Sequence, residues 1–253
     1  MMQDLTGRVI IVTGAARGIG RAIALEASKA GASLLLTDRD ADPLQAAAGE
    51  FGAEWIVADL ADVAAPEVIA AKAIVSFGRI DGLVNAAGLT TRGSFVTGTA
   101  ALWDALFAVN ARAGFLLMAE AIGDMLTRKA PGVIVNILSI NAHVGAPDLA
   151  IYSASKGAMQ TLTKNAARAH MADRIRVNGI NLGWVATESE HRLQSEVLGK
   201  GPDWQLQAAA EMPLGRLVTA EEAARLAVFL LSPASEPMSG SVIDFEQKVA
   251  GAL

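Results

Sequence analysis

The feature that most constrains this chain is a strict alternation of two periodicities. Arg8–Thr13 is a short β-rich apolar run; glycines follow, and then Arg21–Ala30, which suits a helix stopping at Gly31. Ser33–Thr37, Trp55–Ala58, Ile80–Asn85, Val133–Ser139, Ile175–Asn181 and Gly240–Phe245 repeat the strand pattern. Pro43–Gly49, Pro66–Phe77, Leu102–Leu126, Tyr152–Met171 and Glu221–Leu231 repeat the helical one. The strand segments are near-continuous apolar runs without a polar face, so helices must cover both sides of the sheet they form. The pattern predicts an α/β fold: a single Rossmann-type doubly wound parallel sheet with helices on both faces.

No linker or composition break divides the chain, so residues 1–253 are expected to form one domain. With 52% apolar and 19% charged residues it can bury a large core, and disorder is excluded. Only Trp184–Glu211 breaks the alternation, being polar and irregular. Residues 184–211 read as a substrate lid over a ligand crevice; a surface excursion without a role is the alternative. The net charge of −5, without a basic stripe, argues against nucleic acid as a partner. There are no cysteines, which removes disulfides, thiol catalysis and Cys-ligated zinc. No run approaches the roughly 20 apolar residues of a membrane span, and MMQDLTGRVIIVTG has no signal-peptide pattern. A cytoplasmic protein with no membrane partner is the expectation.

Thr13-Gly14-Ala15-Ala16-Arg17-Gly18-Ile19-Gly20 joins the first strand to the first helix. Glycines there let the chain turn sharply and approach a pyrophosphate, which the free N–H groups of the helix start then face. The spacing is G-x-x-x-G-x-G rather than the commoner G-x-G-x-x-G. Asp38 closes the second strand, where a carboxylate accepts from adenosine ribose hydroxyls and repels the extra phosphate of NADP. Arg17 and Arg39 pull the other way, since a guanidinium can pair with that phosphate. NAD is favoured over NADP. Asp59 after the third strand, and Asn85-Ala86-Ala87-Gly88 after the fourth, fit either a cofactor edge or ordinary loop chemistry.

Tyr152 is the only tyrosine in the chain, and Lys156 stands one helical turn beyond it. A phenol with its usual pKa of about 10 is a poor base at neutral pH. A neighbouring ammonium is expected to lower that value, making the pair a general base toward an alcohol or an acid toward a carbonyl. Ser139 ends the fifth strand, where its hydroxyl can hold a substrate oxygen beside the phenol. Asn110 interrupts a long helix that it does not favour, which suggests a kink or a function.

With these motifs in this order, the sequence resembles the short-chain dehydrogenases/reductases of the single-domain branch, from about Leu5 to Phe245. The resemblance implies that Tyr152 is the catalytic base and that Lys156 lowers its pKa and binds the nicotinamide ribose. It implies that Ser139 positions substrate and that Asn110 belongs to a proton relay. Gly14, Arg17, Ile19, Asp38, Asp59 and Leu60 match cofactor-contacting positions, as do Asn85 and Ala86. Gly18, Gly20, Arg39 and Gly88 adjoin them, and Val185 and Thr187 match the nicotinamide side. The implied reaction is hydride transfer between a nicotinamide and a carbinol or carbonyl carbon, without a metal. A homotetramer, or a dimer, is also implied. Two departures stand out: Leu182-Gly183 replaces the family's Pro-Gly, and Asp244-Phe245-Glu246-Gln247 replaces Asp-Gly-Gly. The first is expected to loosen the turn that presents Val185 and Thr187.

Asn141, His143, Glu188 and His191 are the candidate substrate-side residues. A polar pocket of this kind suits a polyhydroxylated substrate. Trp184 and Trp204 either stack on a sugar face or pack. Three functions remain: an NAD-dependent dehydrogenase of a sugar, polyol or related secondary alcohol; a reductase of an apolar ketone or 3-oxoacyl thioester; and a dinucleotide-binding sensor without turnover.

Overall fold

A computed structural model describes residues 3–248. The two N-terminal and five C-terminal residues included in the expected domain of 1–253 lie outside the described residues. β1 (Val9–Thr13), β2 (Ser33–Asp38), β3 (Glu54–Val57), β4 (Gly82–Asn85), β5 (Gly132–Ser139) and β6 (Ile175–Leu182) form one sheet with the last strand, Val242–Phe245. The order is β3-β2-β1-β4-β5-β6 and then the last strand, and every pairing is parallel. The chain reverses its direction of travel between β1 and β4, the switch point where a crevice opens beyond the strand C-termini.

Helices α1 (Gly18–Lys29), α2 (Ala41–Phe51), α3 (Ala65–Phe77), α4 (Ala100–Phe107), α5 (Gly114–Thr127) and α6 (Ala150–His170) flank the sheet. Successive strand side chains point to opposite faces, so β1 feeds two cores. Ile10 and Val12 pack with Leu34, Leu36, Ile23 and Leu44 on one face. Ile11 packs with Leu35, Leu83, Ile69 and Leu117 on the other. Leu35 and Ile69 are fully buried. Cutting either back to Ala costs about 2–5 kcal/mol.

Ala100–Thr127 is a single helical run of 28 residues, long and apolar enough by length and composition to cross a membrane. This corrects the expectation that no run approaches such a span. Leu106, Leu117, Met118 and Met125 are buried within the fold, and α5 packs on α3, so the run serves as a core helix. At Ala108–Ala113 it widens into a π-helical turn centred near Asn110. π-turns recur at functional sites.

Beyond β6, residues 184–211 are more ordered than the sequence pattern predicts. β7 (Val185–Ala186) leads into α7 (Glu188–Arg192), a π-turn (Leu193–Val197) and α8 (Trp204–Ala210). β8 (Val218–Thr219) pairs with β7, Val185 against Val218 and Ala186 against Thr219, so the excursion leaves and returns at one point. Trp204, Ala208, Met212 and Leu217 give it a small apolar core of its own. The pattern reads as irregular because each helix is too short to show a period. α9 (Ala220–Leu231) then starts in a capping box, Thr219 with Glu222, and leads to β9 (Val242–Phe245).

Candidate active site

A cavity of about 1100 Å³ runs along the strand C-termini from Asp38 to Trp184. Its first end is the glycine turn. Gly14 and Gly18 have φ of +65° and +56°, in the left-handed region that glycine tolerates. A Cβ on Gly14 would stand 2.8 Å from the Ala87 Cα, and one on Gly20 would overlap the Gly14 carbonyl. Thr13 Oγ1 accepts from the Ala86 and Ala87 amides, both at 3.0 Å, and so ties β1 to the loop after β4. The start of α1 has no side-chain cap and no acidic residue in its first turn. Its amides are therefore available to an anion such as a dinucleotide pyrophosphate, and the residues present fit one.

The Asp38 carboxylate is anchored beside this turn by the amides of Ala16, at 3.1 Å, and Asp40, at 3.2 Å. Arg17 and Arg39 do not stand free. Asp40 takes Arg17 Nη2 at 2.5 Å, and Arg39 Nε lies 4.0 Å from its other oxygen. Gly18, Ile19, Asp59, Leu60, Ala86, Gly88, Val185 and Thr187 all line the same cavity. Asn85 lies just behind it, with its amide donating to Asn136 Oδ1 at 2.8 Å.

The middle of the cavity holds Ser139, Tyr152 and Lys156, all buried, with Asn110 adjoining. Lys156 Nζ donates to the Ile137 carbonyl at 2.9 Å and lies 5.9 Å from the Tyr152 ring centre. Burial pushes the lysine down to about 8. Burial also pushes the Tyr152 phenol above its ordinary value. The hydrogen bond with Ser139 opposes that shift, and the Glu190 charge adds to it. The expected lowering by Lys156 is thus corrected: desolvation sets the direction, and the group that opposes it is Ser139. Asn110 donates to the Leu89 carbonyl at 2.9 Å and to Ser155 Oγ at 3.0 Å, and accepts from the Leu89 amide at 2.8 Å. Ser155 in turn donates to the Tyr152 carbonyl at 2.7 Å. The π-turn is what aims Asn110 at α6, and Gly88 leaves room there: a Cβ on it would stand 3.3 Å from Lys156 Nζ and 3.4 Å from Asn110 Oδ1.

The far end differs from the sequence-based expectation. Of the four substrate-side candidates, only Asn141 lines the cavity. His143 is exposed and turns to Asp244, at 2.9 Å, and to Asn181, at 3.1 Å. Glu188 is exposed in the first turn of α7, away from the cavity. His191 is exposed and accepts from Trp204 Nε1 at 3.0 Å. Helical geometry explains the error: Glu190 and Gln194, one turn apart, form the inner face of this segment, so Glu188 and His191 fall outside it. Glu190 Oε1 accepts from Trp184 Nε1 at 2.8 Å and from Gln194 Nε2 at 2.7 Å. Trp184 lines the cavity, whereas Trp204 is buried in the small apolar core of this excursion.

The two departures noted in the sequence meet in space. The Glu246 carboxylate fills the space where a Gly183 side chain would be, and its Oε2 accepts from the Trp184 amide at 3.1 Å. Gln247 accepts from the Leu214 amide at 2.9 Å and donates to the Arg216 carbonyl at 2.6 Å. The tail therefore grips both ends of residues 184–216. At Leu182-Gly183, where the missing Pro is expected to loosen the turn, the Glu246 carboxylate adds a contact to the backbone.

The family model described as Enoyl-(Acyl carrier protein) reductase matches residues 14–246. The chain belongs to the short-chain dehydrogenase/reductase family. Similar chains include "Inactive 2-(S)-hydroxypropyl-CoM dehydrogenase 2" of Xanthobacter autotrophicus, 39% identical over 87% of this chain and 96% of that one. Gluconate 5-dehydrogenase of Gluconobacter oxydans is 34% identical over 95% and 93%. The crystal structure of L-sorbose reductase from Gluconobacter frateurii, complexed with NADPH and L-sorbose, superposes with a TM-score of 0.92, 29% identity and full coverage of both chains. The parallel seven-stranded sheet is that of this dehydrogenase family, and this member is a nicotinamide-dependent oxidoreductase of the secondary alcohol/ketone type.

Proposed function

We propose that this single-domain dehydrogenase oxidises a sugar, polyol or related hydroxy compound with NAD, beneath a lid formed by residues 184–211. A bound nicotinamide dinucleotide supplies the hydride acceptor for oxidation, or the donor for reduction. The chain supplies the proton chemistry. As the carbinol C–H leaves as hydride, Tyr152 takes the hydroxyl proton; in the reverse direction it returns that proton to the carbonyl oxygen. Ser139 holds the same oxygen beside the phenol. Lys156 keeps its positive charge below about pH 8 and so favours the phenolate when the proton is taken. The raised phenol suits donation to a carbonyl. Asn110 holds the Leu89 loop against α6 and faces Lys156, which keeps the pair in register.

Asp38 supports NAD as the preferred cofactor, and Asp40 adds to it by engaging the two arginines a 2′-phosphate would need. The similar L-sorbose reductase, by contrast, is complexed with NADPH. A cytoplasmic homotetramer, or a dimer, completes the proposal. Apolar Leu193, Val197, Leu198 and Met212 on the lid favour, as a second reading, an apolar ketone or 3-oxoacyl thioester.

The observation that carries the reading is the buried Ser139–Tyr152–Lys156 set facing a cavity large enough for a dinucleotide and a small alcohol. The test is an absorbance screen of NADH formation from NAD⁺ with polyols, aldoses, sugar acids and simple secondary alcohols. Tyr152→Phe serves as the blank. The variant is expected to lose at least about 10³-fold in kcat, with the NADH dissociation constant within a factor of about two. Retained turnover would remove Tyr152 from the reaction.

A further inference from the structure

Among the groups at the lid end of the cavity, Glu190 has the most defined surroundings. One of its oxygens is committed to Trp184 Nε1 and Gln194 Nε2. The other has no protein partner among the described residues, although the side chain is half-buried and lines the cavity. Two donors on one oxygen fix the carboxylate plane, so the free oxygen has a set direction. Gln194 is 2% exposed, and its carbonyl Oε1 has no partner. Its amide cannot be reversed, because that would set a carbonyl oxygen against the Glu190 carboxylate. A buried acceptor without a donor is costly, so this side chain is held at an energetic expense. Gln194 also lies in the π-turn Leu193–Val197, a local widening of the kind found at functional sites.

We propose that Glu190, held by Trp184 and Gln194, is the specificity-determining residue of the substrate end: it accepts hydroxyl groups of a neutral polyhydroxylated alcohol and disfavours the corresponding sugar acid. The inference rests on the polyol reading above and refines it. Glu190 is a negative side chain whose field reaches the reactive phenol. A substrate carboxylate near that phenol meets a like charge in a partly desolvated space, whereas a hydroxyl meets an acceptor. Of the positive groups at the same end, one is paired with a carboxylate and two are exposed to solvent. Arg92 is paired with Asp148 at 2.6 Å, and Lys200 Nζ lies over the Trp184 ring, 5.6 Å from its centre. Lys248 is exposed at the rim.

The experiment compares kcat/KM for a pentitol and its pentonate in the parent enzyme, Glu190→Gln and Gln194→Met. A Glu196→Gln variant on the exposed side of the lid is the control. The parent is expected to favour the pentitol. Glu190→Gln keeps an oxygen for Trp184 and removes the charge, so the pentonate-to-pentitol ratio should rise at least about tenfold, chiefly through KM. Gln194→Met frees Glu190 and should raise the pentitol KM several-fold, with NADH affinity and Tm unchanged. An unchanged ratio in Glu190→Gln, in an enzyme that does oxidise the pentitol, would overturn the assignment while leaving the polyol reading intact. A parent enzyme that favours the pentonate would overturn it as well. Oxidation of apolar alcohols alone, with both probes inert, would remove the polyol reading itself.

Discussion

Around Gly14–Gly20 the wall of the cavity is backbone. Around Trp184–Met212 it is side chains that hold one another. At the first end, substituting Gly14 or Gly20 would bring a Cβ against the main chain, and Thr13 stitches two loops through their amides. At the second, Glu190 is placed by Trp184 and Gln194, and the segment's ends are gripped by Glu246 and Gln247. Backbone constraints admit few residue types, so they leave a readable mark in a sequence. Side-chain networks admit many solutions and leave little. The same difference separates the end proposed for a common cofactor from the end proposed for one substrate.

Gly20→Ala gives the largest expected break at the backbone end. The added Cβ meets the Gly14 carbonyl, which cannot swing away without moving the turn. NADH affinity should fall at least about 100-fold, near 3 kcal/mol. Fluorescence titration of NADH checks this, and undiminished binding would show that the turn is softer than its geometry.

Lys156→Met tests the middle of the cavity, where function works against stability. Burial holds the lysine at about 8, below its unfolded value of about 10.4. The folded state therefore binds fewer protons than the unfolded one between those values, and stability rises with pH across that window. Below about pH 8 the buried ammonium costs roughly 3 kcal/mol. Removing it should stabilise the protein at pH 7 by about 1–2 kcal/mol, once the lost bond to the Ile137 carbonyl is subtracted. Turnover should be lost. Urea denaturation at pH 7 and pH 9.5 reads the sign: the gain should shrink at the higher pH, and a destabilised variant at pH 7 would refute the argument.

The sheet, its parallel sense and the segments of its seven strands were legible because apolar runs and glycines must recur where the fold needs them. Tyr152 and Lys156 were legible because their spacing is a helical turn. The order within residues 184–211 was not: α7 is a five-residue helix, and no period develops in so short a run. Glu188 stands about half a helical turn from Glu190, and without a visible period the inner face cannot be told from the outer. The direction of the Tyr152 shift was also hidden, since burial depends on what covers a residue. The role of Asp40 is not legible because its pairing with Arg17 is made in space, between residues 23 positions apart.

Asp40 therefore offers a smaller test at the cofactor end. Asp40→Ala releases Arg17 and Arg39 and should raise kcat/KM for NADP roughly tenfold. Asp38→Ala should narrow the NAD/NADP ratio by a similar factor. Unchanged ratios in both would detach this corner from the ribose.

The smallest effect is expected where the lid rejoins the sheet. Glu222 is held at about 2, first by its hydrogen bond with Arg216 and then by the Thr219 amide, which also closes the α9 capping box. Its contribution is present above the ordinary carboxylate value and is lost as pH falls toward 2. The pair faces solvent, so screening limits it to less than about 1 kcal/mol. Glu222→Gln should lower stability at pH 6 by that amount, and the difference should fall by about half at pH 3. Because Thr219 pairs with Ala186, the capping box could also set the angle at which the lid stands. If it did, kcat/KM would fall with stability. The Glu246 and Gln247 contacts already fix the other approach to that ribbon, so kcat/KM should stay within about twofold of the parent. A larger drop would mean that the lid hinges on its α9 side, and that the tail alone does not hold it.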